Sequence, residues 1–339
     1  MSGAEVTVVI PVWNGRGLLL RLLETLEAQT YPIAEVLVVD NGSEDGAAEA
    51  AEQHGARVLR LGANLGFSRA VNCGVEACRT DLVALVNSDV EPEPEWLARL
   101  AAALESREVW FATGKILSAV DRKRIDGTYD LISRAACAWR KGQGRPDGPE
   151  YSQSREISMA PATAALFRTE LFERAGRFDE AFESYLEDVD FGLRCALGGF
   201  KGRYVADAIA YHQGSASLGR WNPQTVRRIA RNQVYLLAKH YPAGLLRQQW
   251  WPILVGQALW GLVALRHGGG WAFAMGKLDG WHGRHEWDEW RRRVACDDRQ
   301  ATRLPHLLQH SEREIAEVQR RTGFDWYWKV YFLLTSGAN

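Results

Sequence analysis

The chain has almost no net charge: its 339 residues carry 41 basic and 42 acidic side chains, a formal charge of -1. That balance leaves no global positive field, so nucleic acid is not an expected partner. Paired cysteines are missing as well. The five present, Cys73, Cys78, Cys137, Cys195 and Cys296, are scattered and include no Cys-x-x-Cys. Their pattern excludes a zinc-thiolate site and a disulfide framework, and points to a reducing, cytoplasmic setting. Met1 to Glu5 carry no basic region followed by an apolar stretch, so no secretory leader is expected. No apolar run reaches the roughly 20 residues that cross a bilayer. The strongest candidate, Trp250 to Leu265, is interrupted by Pro252, Gly256, Gln257 and Gly261. Neither common phosphate loop is present. No Gly-Lys-Ser/Thr follows a glycine-rich turn, and Pro11-Val12-Trp13-Asn14-Gly15-Arg16-Gly17 lacks the Gly-x-Gly-x-x-Gly spacing. Internal repeats are absent too.

What is present suffices for a large core or two domains, since 46% of the residues are hydrophobic. Val6 to Ile10, Val36 to Asp40, Arg57 to Leu61 and Leu82 to Val86 read as strands. Gly17 to Gln29, Gly46 to His54, Ser68 to Cys78 and Glu95 to Leu104 read as helices between or after them. Such alternation predicts an α/β fold with a mostly parallel sheet flanked by helices. Beyond it, Trp110 to Ile116, a part of Ser158 to Phe167, and Gly202 to Tyr211 read as strands. Glu170 to Ala175 reads as a short helix, and Lys141 to Tyr151, rich in Gly, Pro and charge, as a mobile loop. After His212 the pattern is mainly helical, beginning with Pro223 to His240.

Ligands of parallel sheets bind beyond the carboxyl ends of the strands. The polar clusters fall there: Trp13-Asn14, Asp40-Asn41-Gly42-Ser43 and Asn87-Ser88-Asp89. Asp89 can bind a hard divalent ion that bridges a diphosphate; as an isolated residue it would simply cap the next helix. His212 ends a later strand. A lone histidine is more often a packing residue, yet beside Asp89 it would be a second ligand. Asp40 can accept hydrogen bonds from a ribose or a base. The turn Asn64-Leu65-Gly66-Phe67, with Asn72, offers helix N-terminal amides to a nucleotide. Glu187-Asp188-Val189-Asp190 sets acids just before a helical run, Phe191 to Leu197. Acids there suit a helix dipole, or supply a general base.

These segments, in this order, resemble family 2 glycosyltransferases of the GT-A fold, nearest the rhamnosyltransferase-like branch. The resemblance runs over roughly residues 5 to 242 and rests on Val8 to Asn14, Val38 to Ser43, Asn64 to Phe67 with Asn72, Leu85 to Asp89, and Phe178-Asp179-Glu180 leading to Glu187 to Asp190. His212 with Ser215 and Ser217, then Arg231-Asn232, complete it. It implies a Rossmann-like GT-A sheet with a helical C-terminal region. Pro11, Val12, Asn14, Asp40, Asn41, Asn64, Gly66, Phe67, Asn72 and Ser88 would line the nucleotide site. Asp89 and His212 would hold Mg²⁺ or Mn²⁺, with Asn87 standing where the family's metal motif has its first Asp. Asp188 would be the base, with Glu187 beside it. A Gln-x-x-Arg-Trp motif, the mark of processive members, is absent, which implies single-sugar transfer, and the single displacement the resemblance implies would invert the anomeric centre. The donor implied is a dTDP- or UDP-sugar, dTDP-rhamnose among them, and the acceptor a saccharide or lipid-linked saccharide of the cell surface. Arg228, Arg231 and Lys115 could add charge near the phosphates, although solvation at the surface is the simpler reading for each.

Three segments follow: 1–105 for the nucleotide sugar, 106–220 for acceptor and catalysis, and 221–339, mainly helical. Fourteen Trp concentrate in the second half of the chain. With Arg291-Arg292-Arg293 and the aromatic stretch Phe324 to Phe332, they keep contact with the inner membrane face open, although packing against the catalytic domain is the simpler reading. Homodimer contact through the same region is a further expectation. Two other functions stand against transfer. A nucleotidyltransferase would show a glycine-rich basic loop after the first strand, for which Arg16 is a poor match. A non-catalytic nucleotide-sugar-binding scaffold would not need Glu187, Asp188 and Asp89.

Overall fold

The apolar runs of the first hundred residues become the centre of one sheet. In the computed structural model, which describes residues 4–214, 221–288, 290 and 298–336, they form β1 (Val6–Val12), β2 (Glu35–Asp40), β3 (Arg57–Arg60) and β4 (Leu82–Val86). Between them run α1 (Arg16–Glu27), α2 (Ala47–Gln53) and α3 (Phe67–Ala77). Then come β5 (Val90–Pro92), α4 (Trp96–Ala103), β6 (Val109–Ser118), β7 (Ile125–Gly127), β8 (Asp130–Ile132), β9 (Ala138–Arg140) and β10 (Arg155–Ile157). The sheet half of the chain ends with β11 (Ala164–Arg168), α5 (Thr169–Arg174), α6 (Glu187–Gly198) and β12 (Lys201–His212). Among the described residues the helices that follow include α7 (Pro223–His240), α8 (Ala243–Gln248), α9 (Trp250–Arg266), α10 (Gly270–Gly283), α11 (Asp298–Thr322) and α12 (Trp326–Thr335).

Among the described residues the main sheet has ten strands, in the order β10-β12-β6-β11-β4-β1-β2-β3, with β5 added to β12 and β7 to β6. β1, β2, β3 and β4 pair in parallel, as do β6 and β12. β11 runs antiparallel to both β4 and β6, so those two strands keep a common direction. The sheet is thus mixed and mostly parallel. Its central strands are buried on both faces: Val6, Val8, Val9 and Ile10 of β1 are fully inaccessible. α1 turns Leu19, Leu22, Leu23 and Leu26 onto this core, each contributing about 1.5–3 kcal/mol by burial. α3 lies close to β1 because Gly74 has no side chain; a Cβ there would stand 2.4 Å from a Val9 methyl.

The chain divides into two compact units, Met1–Asp130 with Arg140–Ser217, and Leu131–Trp139 with Leu218–Asn339. Residues 131–139, the tip of the β8–β9 hairpin, thus leave the sheet unit for the helical one. In the second unit Arg134 grips Glu312 through its backbone N–H at 2.8 Å and its Nε at 2.7 Å.

Two expectations change here. The acids at 187, 188 and 190 do not precede their helix; they form its first turn, because α6 starts at Glu187, where the dipole favours carboxylates. The segment 141–151 is not simply an open loop. Lys141 is buried with its Nζ on the Tyr129 hydroxyl at 2.8 Å, and residues 149–151 make a turn of 3-10 helix. Ser215, Ser217, Arg291, Arg292, Arg293 and Cys296 lie outside the described residues.

Candidate active site

In the parallel part of the sheet the chain passes from β3 at one edge to β4 on the far side of β1. At such a reversal the loops beyond the strand ends diverge and leave a crevice. The end of β1 and the end of β2 meet first. Pro11 and Val12 complete β1, and the Val12 carbonyl accepts the Asn41 N–H at 2.8 Å. Asn14 takes a positive φ of 60°, its N–H donating to Ser43 Oγ at 2.9 Å and its Oδ1 accepting from Glu44 N. Asp40, 5% exposed, accepts from Ser43 N at 3.0 Å. Asn41 donates to Asn64 Oδ1 and to the Gly66 carbonyl, and accepts from Leu65 N at 2.8 Å. The end of β2 therefore shapes the turn that opens α3.

That turn rests on the acidic segment 100 residues and more downstream. Gly66 has φ 88°, and a Cβ there would press on the Glu183 carbonyl at 3.1 Å. Phe67 N donates to Ser184 Oγ, and Ser68 N to the Glu183 carbonyl at 2.9 Å. Asn72 is buried and engaged at both ends of its amide. It donates to the Phe178 carbonyl at 2.9 Å and to Glu180, and accepts from Phe178 N at 3.0 Å. Its contacts thus run to the segment before α6.

The acids of α6 divide into two roles. Asp190 is fully buried and pairs with Arg194 at 3.0 Å, while Arg194 also donates to the carbonyls of Ala175, Gly176 and Arg177. That cluster holds the helix in place. Glu187 and Asp188 share a second, chemically different environment. Burial, then the adjacent Asp188 charge, raise the Glu187 carboxyl well above the carboxylate range, and its Oε2 is buried without a hydrogen-bond partner. Asp188 is raised to about 6, by burial first and then by the Asp130 charge, against the pull of Arg140. Both carboxyls are thus held above the ordinary carboxylate range, and Asp188 can titrate near neutrality.

Two residues that hold Asp188, Arg140 and Ala162, have no signal in the sequence pattern. Arg140 donates to Asp130 at 3.1 Å, to Thr163 Oγ1 at 3.0 Å and to Asp188 Oδ2 at 3.4 Å. The Ala162 N–H adds a second donor to Asp188 at 3.3 Å. The Thr163 carbonyl in turn accepts from Asn87 N at 2.9 Å, where β4 runs into Asn87-Ser88-Asp89. One residue thus joins the two acidic segments.

Asp89 meets His212 because β5 pairs antiparallel with β12, setting Val90 opposite His212. His212 Nε2 lies 3.2 Å from Asp89 Oδ1, and its Nδ1 lies 2.8 Å from Asp126 Oδ2. Burial opposes a charge on the ring, but the hydrogen bonds to Asp126 and Asp89 outweigh it and raise the ring to about 9. Asp126 was not foreseen; β7 carries it beside β6, and β6 aligns Ser118 with His212. Nδ1–H donates to Asp126 and Nε2–H to Asp89, so a cation at Nε2 would take the place of the proton that faces Asp89 while Asp126 keeps the ring oriented. Asn87 Oδ1 nearby is buried without a hydrogen-bond partner. The Asp89 carboxylate is the kind of oxygen donor a hard divalent cation takes, but among the described residues no three His, Cys, Asp or Glu side chains are grouped as a complete metal site.

Of the basic candidates, Lys115 is not solvated. It is buried and pairs with Asp147 at 2.9 Å, since a cation in the middle of the sheet needs a carboxylate beside it. Arg231 donates to Asn232 Oδ1 at 3.0 Å.

The fold is that of GT-A glycosyltransferases, as its likeness to solved structures bears out. GalNAc-T7 with UDP, GalNAc and Mn²⁺ aligns with a TM-score of 0.65 at 14% identity, over 95% of this chain and 58% of that one. The mannosyltransferase PcManGT from Pyrobaculum calidifontis, in complex with GDP-Man and Mn²⁺, aligns at 0.51 and 17% identity, over 98% of this chain and 86% of that one. Residues 7–176, half of the chain, match the family Glycosyl transferase family 2, and the chain belongs to that family. Among relatives from Mycobacterium tuberculosis, a pre-mycofactocin glycosyltransferase is 31% identical over 65% of this chain. The chain spans 45% of that relative's length. An N-acetylglucosaminyl-diphospho-decaprenol L-rhamnosyltransferase is 28% identical over 73% of this chain and 86% of the relative.

Proposed function

We propose that the chain transfers one sugar, with inversion, from a nucleoside-diphosphate sugar to a saccharide or lipid-linked saccharide acceptor. Asp188 is the general base: it takes the proton of an acceptor hydroxyl, whose oxygen attacks the anomeric carbon as the nucleoside diphosphate leaves. Burial of Glu187 beside it disfavours a second charge there. Asp89 and His212 would hold Mg²⁺ or Mn²⁺, with Asp126 fixing the ring of His212. When bound, the ion supplies a positive charge that stabilises the departing diphosphate. Asp40 and Asn14 receive the nucleoside, while the first amides of α3 are taken by Ser184 and Glu183. Ser88 lies between the two ends, and Asn41, Asn64 and Asn72 act from behind by shaping the turn.

What carries this reading is the link through Thr163, which ties the strand end bearing Asp89 to the arginine that holds Asp188. The family and the rhamnosyltransferase relative favour a dTDP- or UDP-sugar, dTDP-rhamnose first among them. The decaprenol-linked acceptor in that relative's name favours work at the cytoplasmic face of a membrane. Among the described residues no helix is long and apolar enough to cross one.

The test is a panel of nucleotide sugars with and without Mn²⁺, read by diphosphate release and by thermal shift. Asp188→Asn should lower transfer about 10²-fold or more while diphosphate still stabilises the protein. Full transfer by Asp188→Asn would remove Asp188 as base. A folded protein that binds donor without turnover would restore the scaffold reading.

A further inference from the structure

α9, α10 and α12 are mostly apolar, with no polar face set against an apolar one. Helices of that kind are ordinarily covered on all sides. Here each keeps one stripe in water. On α9 the stripe is Leu254, Leu262 and Leu265. On α10 it is Trp271, Leu278 and Trp281, again about two turns and one turn apart, with Trp271 79% exposed. α12 adds Trp326, Leu333 and Leu334, with Leu333 77% exposed. The helices adjoin one another. Trp260 of α9 stacks on Phe273 of α10 at 5.7 Å. Trp251 Nε1 donates to the Leu334 carbonyl at 2.8 Å, and the Tyr327 hydroxyl to the Gly256 carbonyl at 3.1 Å.

The charges on these helices have one sign where they reach water. Arg266 and Lys329 are exposed. Asp279, the acid of the three helices, accepts two hydrogen bonds from Arg227, at 2.6 and 3.0 Å. Just past α10, the Arg284 guanidinium lies 3.7 Å from the centre of the Trp281 ring. A second copy docked symmetrically on this face would set the exposed cations of these helices against the same cations, with Glu286 just past α10 and Asp325 just before α12 as the exposed carboxylates beside them. An anionic lipid surface meets both demands: headgroups for the cations, and an acyl boundary for Trp and Leu. α9 is 17 residues long, about 25 Å, short of the ~30 Å apolar thickness of a bilayer. It therefore lies on the surface without spanning it.

We propose that α9, α10 and α12 form a docking face for an anionic bilayer. The inference deepens the membrane-face part of the proposed function and rests on it only for the acceptor. Vesicle binding and sugar transfer are measured separately, so either can fail alone. The full chain is sedimented with vesicles of phosphatidylcholine, and of phosphatidylcholine mixed with phosphatidylglycerol. Binding should be about tenfold tighter to the mixed vesicles and fall about tenfold in Leu265→Glu/Trp271→Glu. Both residues are exposed, so thermal stability and donor turnover with a soluble acceptor should be unchanged. Arg266→Glu should weaken binding to mixed vesicles alone. Failure to bind the mixed vesicles, or equal binding by the double variant, overturns the proposal. So does a dimer by light scattering that the double variant splits, which would give the face to a second copy.

Discussion

Replacing Arg140 by Gln should move the titration of the proposed base. The guanidinium stands 3.4 Å from Asp188 and 3.1 Å from Asp130, and it is the charge that opposes the upward pull of burial and Asp130 on Asp188. Two unit charges about 4 Å apart interact by roughly 4 kcal/mol at an effective dielectric of 20. Arg140 divides its attention between two acids, and Asp188 keeps some solvent, so about a third of that is the working figure. A third is about one pH unit. Asp188 titrates near 6 with Arg140 in place, so the variant's midpoint should lie near or above ~7. The base must be deprotonated to act, so activity rises with pH through this midpoint. The loss should be roughly fivefold at pH 6 and fade above ~pH 8. The assay is kcat/KM for transfer against pH. Arg140→Gln also strands the buried Asp130, which breaks an ion pair at about 3–5 kcal/mol. The double variant Asp130→Asn/Arg140→Gln removes the opposing pair together, and its midpoint should return toward the original. A single variant whose midpoint stays near that of the parent would refute the electrostatic account of Asp188.

Asp89→Ala should abolish the extra thermal stabilisation that Mn²⁺ lends to a nucleoside diphosphate, a gain of about 2.7 kcal/mol when ligand is at 100 times its Kd. Metal dependence equal to the parent's would move the metal site elsewhere. Asn72→Ala should cost about 1–3 kcal/mol for each Phe178 backbone group left unpaired, read from urea unfolding. A raised donor KM with unchanged stability would instead make Asn72 a direct nucleotide contact.

The strand ends were legible because one chemical rule covers them. A buried apolar run closed by Asp or Asn announces a polar site whatever the fold; Asp40 closes one and Asn87, two residues before Asp89, follows another, whereas His212 closes a strand that alternates between core and solvent. Asp126 and Arg140 announce nothing. Each lies in a three-residue strand, too short for any periodicity. Their partners are 86 and 48 residues away, and only the pairing of β6 with β7 and the return of the chain at β9 bring them in. Lys115 misled for the opposite reason. Alone in a strand it looked like a surface cation, and nothing local announces Asp147. The Glu187–Asp190 cluster was visible as acidity, but its division into a lock and a titrating pair depends on Arg194 and Arg140, which composition does not distinguish.

The entry into α6 shows why this site needs so much support. Glu183, Tyr185 and Leu186 all take positive φ, at 58°, 72° and 67°. Side-chain-bearing residues held in sparsely populated backbone regions cost about 1–3 kcal/mol each. Glycine would relieve that cost, yet the chain has none between Gly176 and Gly192. The conformation survives because both sides of it are held. Upstream, Asn72 grips the Phe178 backbone and Arg69 pairs with Glu180 at 2.9 Å. Within it, Glu183 and Ser184 accept the first N–H groups of α3. Downstream, Arg194 pins Asp190. A helix entered through a left-handed Leu186 has no side-chain cap, so its first turn keeps amides available to acids. Asp188 uses one of them, accepting from Val189 N at 2.9 Å. The backbone cost and the buried carboxyls thus have one origin: the turn that sets Glu187 and Asp188 beside Arg140 cannot be made by relaxed backbone. Stability is given up where the proposed chemistry would occur.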